Sequence, residues 1–398
     1  MSALMRFRPR ALVLWWAERD DLNAYAGNRG GIGLHVDGGG SVAHAWFADD
    51  RIATDAVGHA VGEFAVFSLA SPVDSAPACS ADATLRDDGF ALHWQAKSEG
   101  AWDVHYLAFG GSDLRAAAIA SLELVHDRPR AVADVGFRPD FALFVPTAAS
   151  GPADPTPGLF YGIGVAAGRH RQGATGVAAH VSDTTAVVRS AQRADSVVAV
   201  PSIEGAMSFR ALARMVELGP SGPALDVVVD PAAGPVSVAC LALAGGRYSV
   251  ATHAGPSRPR QDRMRRVGLK PAGVLAFSWG LGSSADVKQV PRLSLGAADC
   301  TGCGCLSWTL RPRGLWPLEP RSRSTEGRIL EVVDTRSHAL HAHARFVGVS
   351  ADGFTLEWPE SDGRRREFVY AAFGSTEPTR RRPRLMELAP RLFRRRRG

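Results

Sequence analysis

Large apolar and polar residues alternate along several short stretches of this chain. In Phe90-Ala91-Leu92-His93-Trp94 the first, third and fifth side chains are large and apolar, and Phe354-Thr355-Leu356-Glu357-Trp358 repeats the pattern with polar residues between. A period of two sends successive side chains to opposite faces of a strand, so each stretch predicts a strand with one face in a core and one toward water. Trp94 and Trp358 are core residues on this reading. Asp88-Gly89 and Asp352-Gly353 stand just ahead, where a tight turn needs tolerance of positive φ. Lys97–Gly100 and Ser361–Gly363 then read as hairpin turns, with Val104–Phe109 and Phe368–Phe373 returning antiparallel. Ala11-Leu12-Val13-Leu14-Trp15 is different: a continuous apolar run predicts a strand buried on both faces, and the adjacent Trp15 and Trp16 must point opposite ways. In Gly31-Ile32-Gly33-Leu34 and Tyr161-Gly162-Ile163-Gly164-Val165, glycine alternates with larger residues, and Leu293-Ser294-Leu295-Gly296 is a weaker counterpart. That pattern predicts a strand passing closely beneath another layer.

These stretches recur in order. Phe7-Arg8-Pro9-Arg10-Ala11-Leu12-Val13-Leu14-Trp15 is echoed by Val135-Gly136-Phe137-Arg138-Pro139-Asp140-Phe141-Ala142-Leu143-Phe144 and by Val267-Gly268-Leu269-Lys270-Pro271-Ala272-Gly273-Val274-Leu275-Ala276-Phe277. Each opening is matched by a closing segment: Tyr106-Leu107-Ala108-Phe109-Gly110-Gly111, Cys240-Leu241-Ala242-Leu243-Ala244-Gly245-Gly246 and Tyr370-Ala371-Ala372-Phe373-Gly374. The middle copy lacks the Asp-Gly-Phe turn and the tryptophan, reading Pro223-Ala224-Leu225-Asp226-Val227 instead. With the stretches around Val42–Phe47 and Val177–Val181, each copy has seven or eight short strands. The chain therefore predicts an all-β protein of three tandem jelly-roll-like β-sandwich domains with a basic C-terminal tail. The expected boundaries are 1–112, 113–252, 253–377 and, for the arginine-rich tail, 378–398. Leu114–Ala120 is either linker or the first strand of the second copy, and the Pro/Arg-rich stretch His253–Arg266 reads as an exposed connector.

Composition supports this reading and locates the charge. The 398 residues are too many for one core, and 45% hydrophobic with 22% charged residues is a folded composition rather than a disordered one. The net charge of +6 belongs to the tail: nine arginines and one glutamate in 378–398 carry +8 and leave the body at −2. A nucleic-acid-binding body is thus not expected. No apolar run reaches membrane-spanning length, so membrane insertion is not expected either. Ala11–Ala17 after three arginines imitates a short leader, yet it aligns with the opening strands of the other copies, and Glu18, Asp20 and Asp21 follow at once. Synthesis in the cytoplasm is the expectation, and five unevenly placed cysteines do not make a disulfide framework.

The combination of Gly-Phe-Arg-Pro before an apolar strand, Gly-Ile-Gly, Asp-Gly-Phe-x-Leu-x-Trp and Tyr-Leu-Ala-Phe-Gly-Gly resembles tandem-repeat β-sandwich structural proteins of tailed bacteriophages and phage-like particles. The resemblance runs once per copy to about Ser375. It implies a virion-associated or particle-associated protein of tail, fibre or capsid exterior that works by assembly with other particle subunits, as an oligomer, and by surface display. It carries no catalytic residues, and no enzyme activity or cofactor is expected.

Several residues invite chemistry of their own. Tryptophans 16, 279, 308 and 316 (Trp16, Trp279, Trp308, Trp316) are candidates for a protein interface or, in the alternative reading of a lectin-like protein, for stacking on a cell-surface glycan. Three thiols, Cys300, Cys303 and Cys305, have partial zinc-ligand spacing, with His338, His341 or His343 as a fourth ligand. The preferred reading makes Cys303 and Cys305 small buried hydrophobes on one strand face, with no metal. Gly27–Gly33 is glycine-rich but lacks the Gly-Lys-Ser/Thr ending of a phosphate cradle, and the acidic pairs Asp49-Asp50 and Asp87-Asp88 read as turns. In the tail, Arg380, Arg381, Arg382, Leu388, Phe393, Arg394, Arg395, Arg396 and Arg397 form a candidate docking peptide for an acidic neighbour, with nucleic acid the less favoured partner.

Overall fold

The computed structural model describes residues 2–5, 7–18, 28–48, 57–69, 77–96, 101–148, 156–181, 186–204, 208–232, 234–280, 287–288, 292–312, 318–334, 339–374 and 386–387. Every regular element among them is a strand, and all named pairings are antiparallel. The first repeat carries β1 (Ser2–Leu4), β2 (Pro9–Glu18), β3 (Asn28–Val36), β4 (Gly40–Ala48), β5 (Val57–Gly62), β6 (Val66–Leu69), β7 (Pro77–Arg86), β8 (Gly89–Ala96) and β9 (Trp102–Gly110). In the second are β10 (Ala116–Leu124), β11 (Arg130–Val132), β12 (Phe141–Thr147), β13 (Thr156–Pro157), β14 (Leu159–Ala166), β15 (Gln172–Val181), β16 (Ala186–Arg193), β17 (Val198–Pro201), β18 (Phe209–Leu218), β19 (Pro223–Val229) and β20 (Val236–Ala244). The third has β21 (Arg247–Ala254), β22 (Arg260–Arg265), β23 (Gly273–Ser278), β24 (Arg292–Asp299), β25 (Cys303–Pro312), β26 (Leu318–Glu326), β27 (Leu330–Val333), β28 (Leu340–Ser350), β29 (Gly353–Glu360) and β30 (Glu367–Gly374), with β31 (Met386–Glu387) in the tail.

Each repeat contributes a small outer sheet and a larger inner one. The outer orders are β1-β8-β7-β6, β11-β19-β18-β17 and β22-β29-β28-β27. The inner orders are β13-β5-β4-β3-β2-β9-β31, β10-β20-β12-β14-β15-β16 and β21-β30-β23-β24-β25-β26. Consecutive strands stay side by side: four run through the inner sheet, three return through the outer one, and the last goes back beside the first. A jelly roll sends consecutive strands to opposite sheets, so the expected jelly-roll connectivity is corrected to a meander. Seven or eight short strands are common to both, and strand count does not encode pairing.

The continuous apolar runs are buried on both faces because each inner sheet lies between two cores. In β2, Leu12, Leu14 and Trp16 point into the first repeat's own sandwich beside Phe90 and Tyr106, while Val13 and Trp15 point the other way. Phe144 against Leu143 and Val145, and Ala276 against Leu275 and Phe277, split in the same manner. The second faces of all three inner sheets meet in one common core. The repeats are therefore packed through their inner sheets.

Close backbone approach accounts for two sets of glycines. A Cβ on Gly33, Gly164 or Gly296 would stand 2.0, 1.9 or 2.1 Å from the carbonyl oxygen of Ala65, Val197 or Ile329, each just ahead of the first outer-sheet strand of its meander. At the start of β8, just ahead of β19 and at the start of β29, Gly89, Gly222 and Gly353 share φ values of 154°, 152° and 153°. Their Cβ positions lie 1.9, 1.8 and 1.8 Å from the carbonyls of Ala3, Ala133 and Met264. The middle repeat thus keeps the backbone requirement although its Asp-Gly-Phe signature is gone.

Two connectors differ from expectation. β21 straddles the sequence boundary at 252 and pairs along its whole length with β30. The Pro/Arg-rich stretch after it holds β22, whose Met264 is buried, so it is an edge strand rather than a simple exposed connector. Trp358 is buried as expected, but Trp94 is only half-buried at the rim of its core.

Candidate interaction surfaces

Strand direction gives the molecule two unlike ends. The connections β3–β4, β5–β6 and β7–β8 span only Asp37–Gly39, Glu63–Ala65 and Asp87-Asp88. At the opposite end, β2–β3, β4–β5, β6–β7 and β8–β9 span residues 19–27, 49–56, 70–76 and 97–101. The third repeat divides in the same way, with 279–291 and 313–317 among its longer connections, and in the second the longest connection, 148–158, lies at the corresponding end. Aromatic contacts show that like ends lie together. Near the long-connection end, Trp46 of the first repeat stacks on Tyr161 of the second at 4.2 Å and 10°. It also meets Trp308 of the third edge-on at 5.1 Å, and Tyr161 is 6.1 Å from Trp279. Near the other end Phe373 packs edge-on against Phe109 and Phe141, at 5.1 and 5.3 Å. Such pairs add about 0.5–1.5 kcal/mol each beyond the area they bury.

Three of the four tryptophan candidates are interior residues. Trp279 and Trp308 stand at an interface, but one between repeats of the same chain, and Trp16 fills the first sandwich. At 0%, 3% and 0% exposure, none of Trp279, Trp308 and Trp16 is available to a sugar ring. Trp316 lies outside the described residues, within the β25–β26 connection. Trp46 and Tyr161 are the central residues that sequence reasoning missed. Their only signal was a large aromatic at the end of a strand whose other face already had a core.

Polar seams join each repeat to the next. His59 Nδ1 is 2.8 Å from the Gly158 carbonyl. Ser190 and Lys288 exchange a pair of backbone hydrogen bonds, each 2.8 Å long. The Ser322 hydroxyl donates to the Glu18 carbonyl at 3.1 Å, and His105 Nε2 lies 3.0 Å from Ser324 Oγ. Burial, with the neighbouring His59 second, pushes His44 down to about 3, and burial alone pushes His105 down to about 4. Both rings are neutral at pH 7.

The thiol cluster does not converge. Cys303 faces the third sandwich core and Cys305 is fully buried, while Cys300 is exposed at the β24–β25 turn. Asp299 Oδ1 organises that turn by accepting from the Thr301 amide and hydroxyl, both at 2.6 Å, and from the Gly302 amide at 3.1 Å. Burial raises the Cys303 and Cys305 thiols. His343 is buried 3.6 Å from Glu360, His341 is 3.8 Å from Asp334, and His338 lies outside the described residues. Among the described residues no three His, Cys, Asp or Glu side chains are grouped to hold a metal.

Other candidates resolve into packing. Gly31 makes room for Trp16, whose ring would be 2.2 Å from an added Cβ. Asp87 forms a turn and lies 3.5 Å from Arg8, while Asp49 and Asp50 are outside the described residues. A shallow 310 Å³ groove in the second repeat is lined by Arg169, His170, Gln172, Asp195, Arg214 and Asp226. Its charges are largely used internally, since Asp195 bonds Arg193 at 2.9 Å and Arg214 at 2.6 Å. Of the tail, only Met386 and Glu387 are described, paired with β9. The docking candidates Arg380–Arg382, Leu388, Phe393 and Arg394–Arg397 lie outside the described residues. Among the described residues no helix is long and apolar enough to cross a membrane. No family model, curated protein or solved structure matches this chain.

Proposed function

We propose that this protein is a structural component of a phage or phage-like particle, with three tandem β-sandwiches in one chain standing where three subunits would stand around an axis. The observation that carries this reading is the common aromatic core, to which all three inner sheets contribute and which holds like ends of the three repeats together. A rigid platform with its longer connections gathered at one end suits a role in assembly and display, since connections on a fixed scaffold are where binding residues concentrate. The partners in this reading are other particle subunits, and a partner on the axis would itself have threefold symmetry. The arginine-rich tail is the candidate for docking on an acidic neighbour, and the location is the particle after synthesis in the cytoplasm.

The lectin-like alternative loses its aromatic platform at Trp16, Trp279 and Trp308, and it now rests on Trp316 alone. Fractionation of particles followed by mass spectrometry tests the proposal. A stoichiometric amount in purified particles, in a fixed ratio to the major subunits, is the expected result. Recovery only in the particle-free fraction would overturn it.

A further inference from the structure

We infer that the edge of β9 is a strand-acceptor site and that its occupant is the C-terminal segment of the same chain around Met386-Glu387, which closes the three repeats into a ring. Each inner sheet ends beside the last strand of its meander: β9, β20 or β30. The edge of β20 is covered by β10, which leaves the first repeat directly after β9. The edge of β30 is covered by β21, which leaves the second repeat directly after β20. Each repeat thus hands a strand on to its successor. The segment after β30 is the tail, and its described strand pairs with β9.

Register makes the correspondence specific. Met386 stands opposite Phe109, Ala117 opposite Leu243, and Tyr248 opposite Phe373. Phe109, Leu243 and Phe373 occupy one position of the closing segment that the sequence repeats. Glu387, Ala118 and Ser249 likewise oppose Ala108, Ala242 and Ala372. The need is physical, because β9 is buried along most of its length and an uncovered edge would offer unpaired N–H and C=O groups to any passing strand. Charge is not the determinant here: the paired residues lie between the tail's two arginine clusters rather than within one.

Paired cysteines test this in the full chain. Ala108→Cys with Glu387→Cys is compared with Ala118→Cys plus Ala242→Cys, the same register in the second repeat, both carrying Cys300→Ser to remove the exposed thiol. Mild oxidation is expected to close both pairs within one chain, seen as a faster monomer on non-reducing gels. Closure of the second pair but not the first would overturn the inference. A covalent dimer through positions 108 and 387 would also overturn it, since the edge would then recruit a second copy. Should neither pair close, hydrogen exchange decides. With Met386→Pro and Glu387→Pro together, amides of 108–110 should exchange about tenfold faster or more, while those of 242–244 and 372–374 stay unchanged. Equal protection of 108–110 in both proteins would refute the closure.

Discussion

Replacing Gly164 by alanine probes the feature on which each sandwich depends, the near-contact between its two sheets. The added Cβ would lie 1.9 Å from the Val197 carbonyl oxygen and 2.7 Å from its carbon. An ordinary carbon–oxygen contact is more than ~1 Å longer, so β14 and the β16–β17 connection must separate locally. Both lie in a close-packed interior, where Ile163 and Val165 on one face and Val197 and Val198 on the other are fully buried. Relief by one side-chain rotation is closed, because the obstructing atoms are backbone. Overpacking of this kind costs about 1–3 kcal/mol, and the backbone clash puts Gly164→Ala at the upper end. Gly302→Ala is the control: nothing stands within 4 Å of its Cβ position, so the change should be neutral or slightly stabilising. Urea denaturation followed by tryptophan fluorescence and circular dichroism measures both. Because the common core joins the repeats, the lesion in the second should lower the main transition rather than split off a minor one. A Gly164→Ala midpoint indistinguishable from that of Gly302→Ala would refute the argument.

Trp308→Ala should cost about 3–5 kcal/mol and raise protease sensitivity between repeats, since its ring packs on Trp46 across the common core; unchanged proteolysis would show the repeats to be independent. Trp358→Ala should cost more than Trp94→Ala, because Trp94 is only half-buried; equal melting shifts would contradict that ranking. His44 and His105 are held below the ordinary histidine value, so the unfolded chain binds more protons below about pH 6.5 and stability falls as the solution is acidified from there toward 4. Each contributes at most about 1.4 kcal/mol per pH unit, and the gap between melts at pH 7 and 5 should narrow in His105→Gln, the His44 share remaining; an unchanged difference would remove His105 from the account. One thiol, Cys300, should react rapidly with a thiol reagent, while burial keeps the others protonated and shielded, Cys79 being pushed up to about 12; two or more fast thiols in the native protein would count against these placements.

Much of this architecture is written in backbone requirements that side-chain patterns report only in part. The glycine alternation announced a close layer, and the carbonyls of Ala65, Val197 and Ile329 are that layer. The run Ala11–Trp15 announced burial on both faces, yet nothing in it says what covers the second face. That answer needs Trp46, Tyr161 and Trp279, which stand far apart in the chain. Gly222 carries no Asp-Gly-Phe signature, because the position requires only a glycine at positive φ beside Ala133 and leaves its neighbours' side chains free. Pairing order escaped the sequence for a related reason. Alternation fixes which way a residue points, not which strand lies next to it, so a meander and a jelly roll look alike until the ladders are known.

The three seams show what a single chain gains over three identical subunits. Head-to-tail contacts close on themselves only when the rotation between neighbours is right, and identical subunits must then use one interface three times. Here the interfaces differ: a histidine on a carbonyl at His59–Gly158, a reciprocal backbone pair at Ser190–Lys288, and a serine on a carbonyl at Ser322–Glu18. Covalent order fixes which repeat follows which, and linkage raises the effective concentration of each seam so that none must be strong alone. Each repeat is then free to diverge wherever it does not face the common core. The clustered cysteines of the third repeat, the Asp195-centred arginine pair of the second and the half-buried Trp94 of the first are such divergences. In the proposed setting, a partner on the axis would meet three similar ends. One approaching from the side would meet three different faces, and that difference would let the chain tell its neighbours apart.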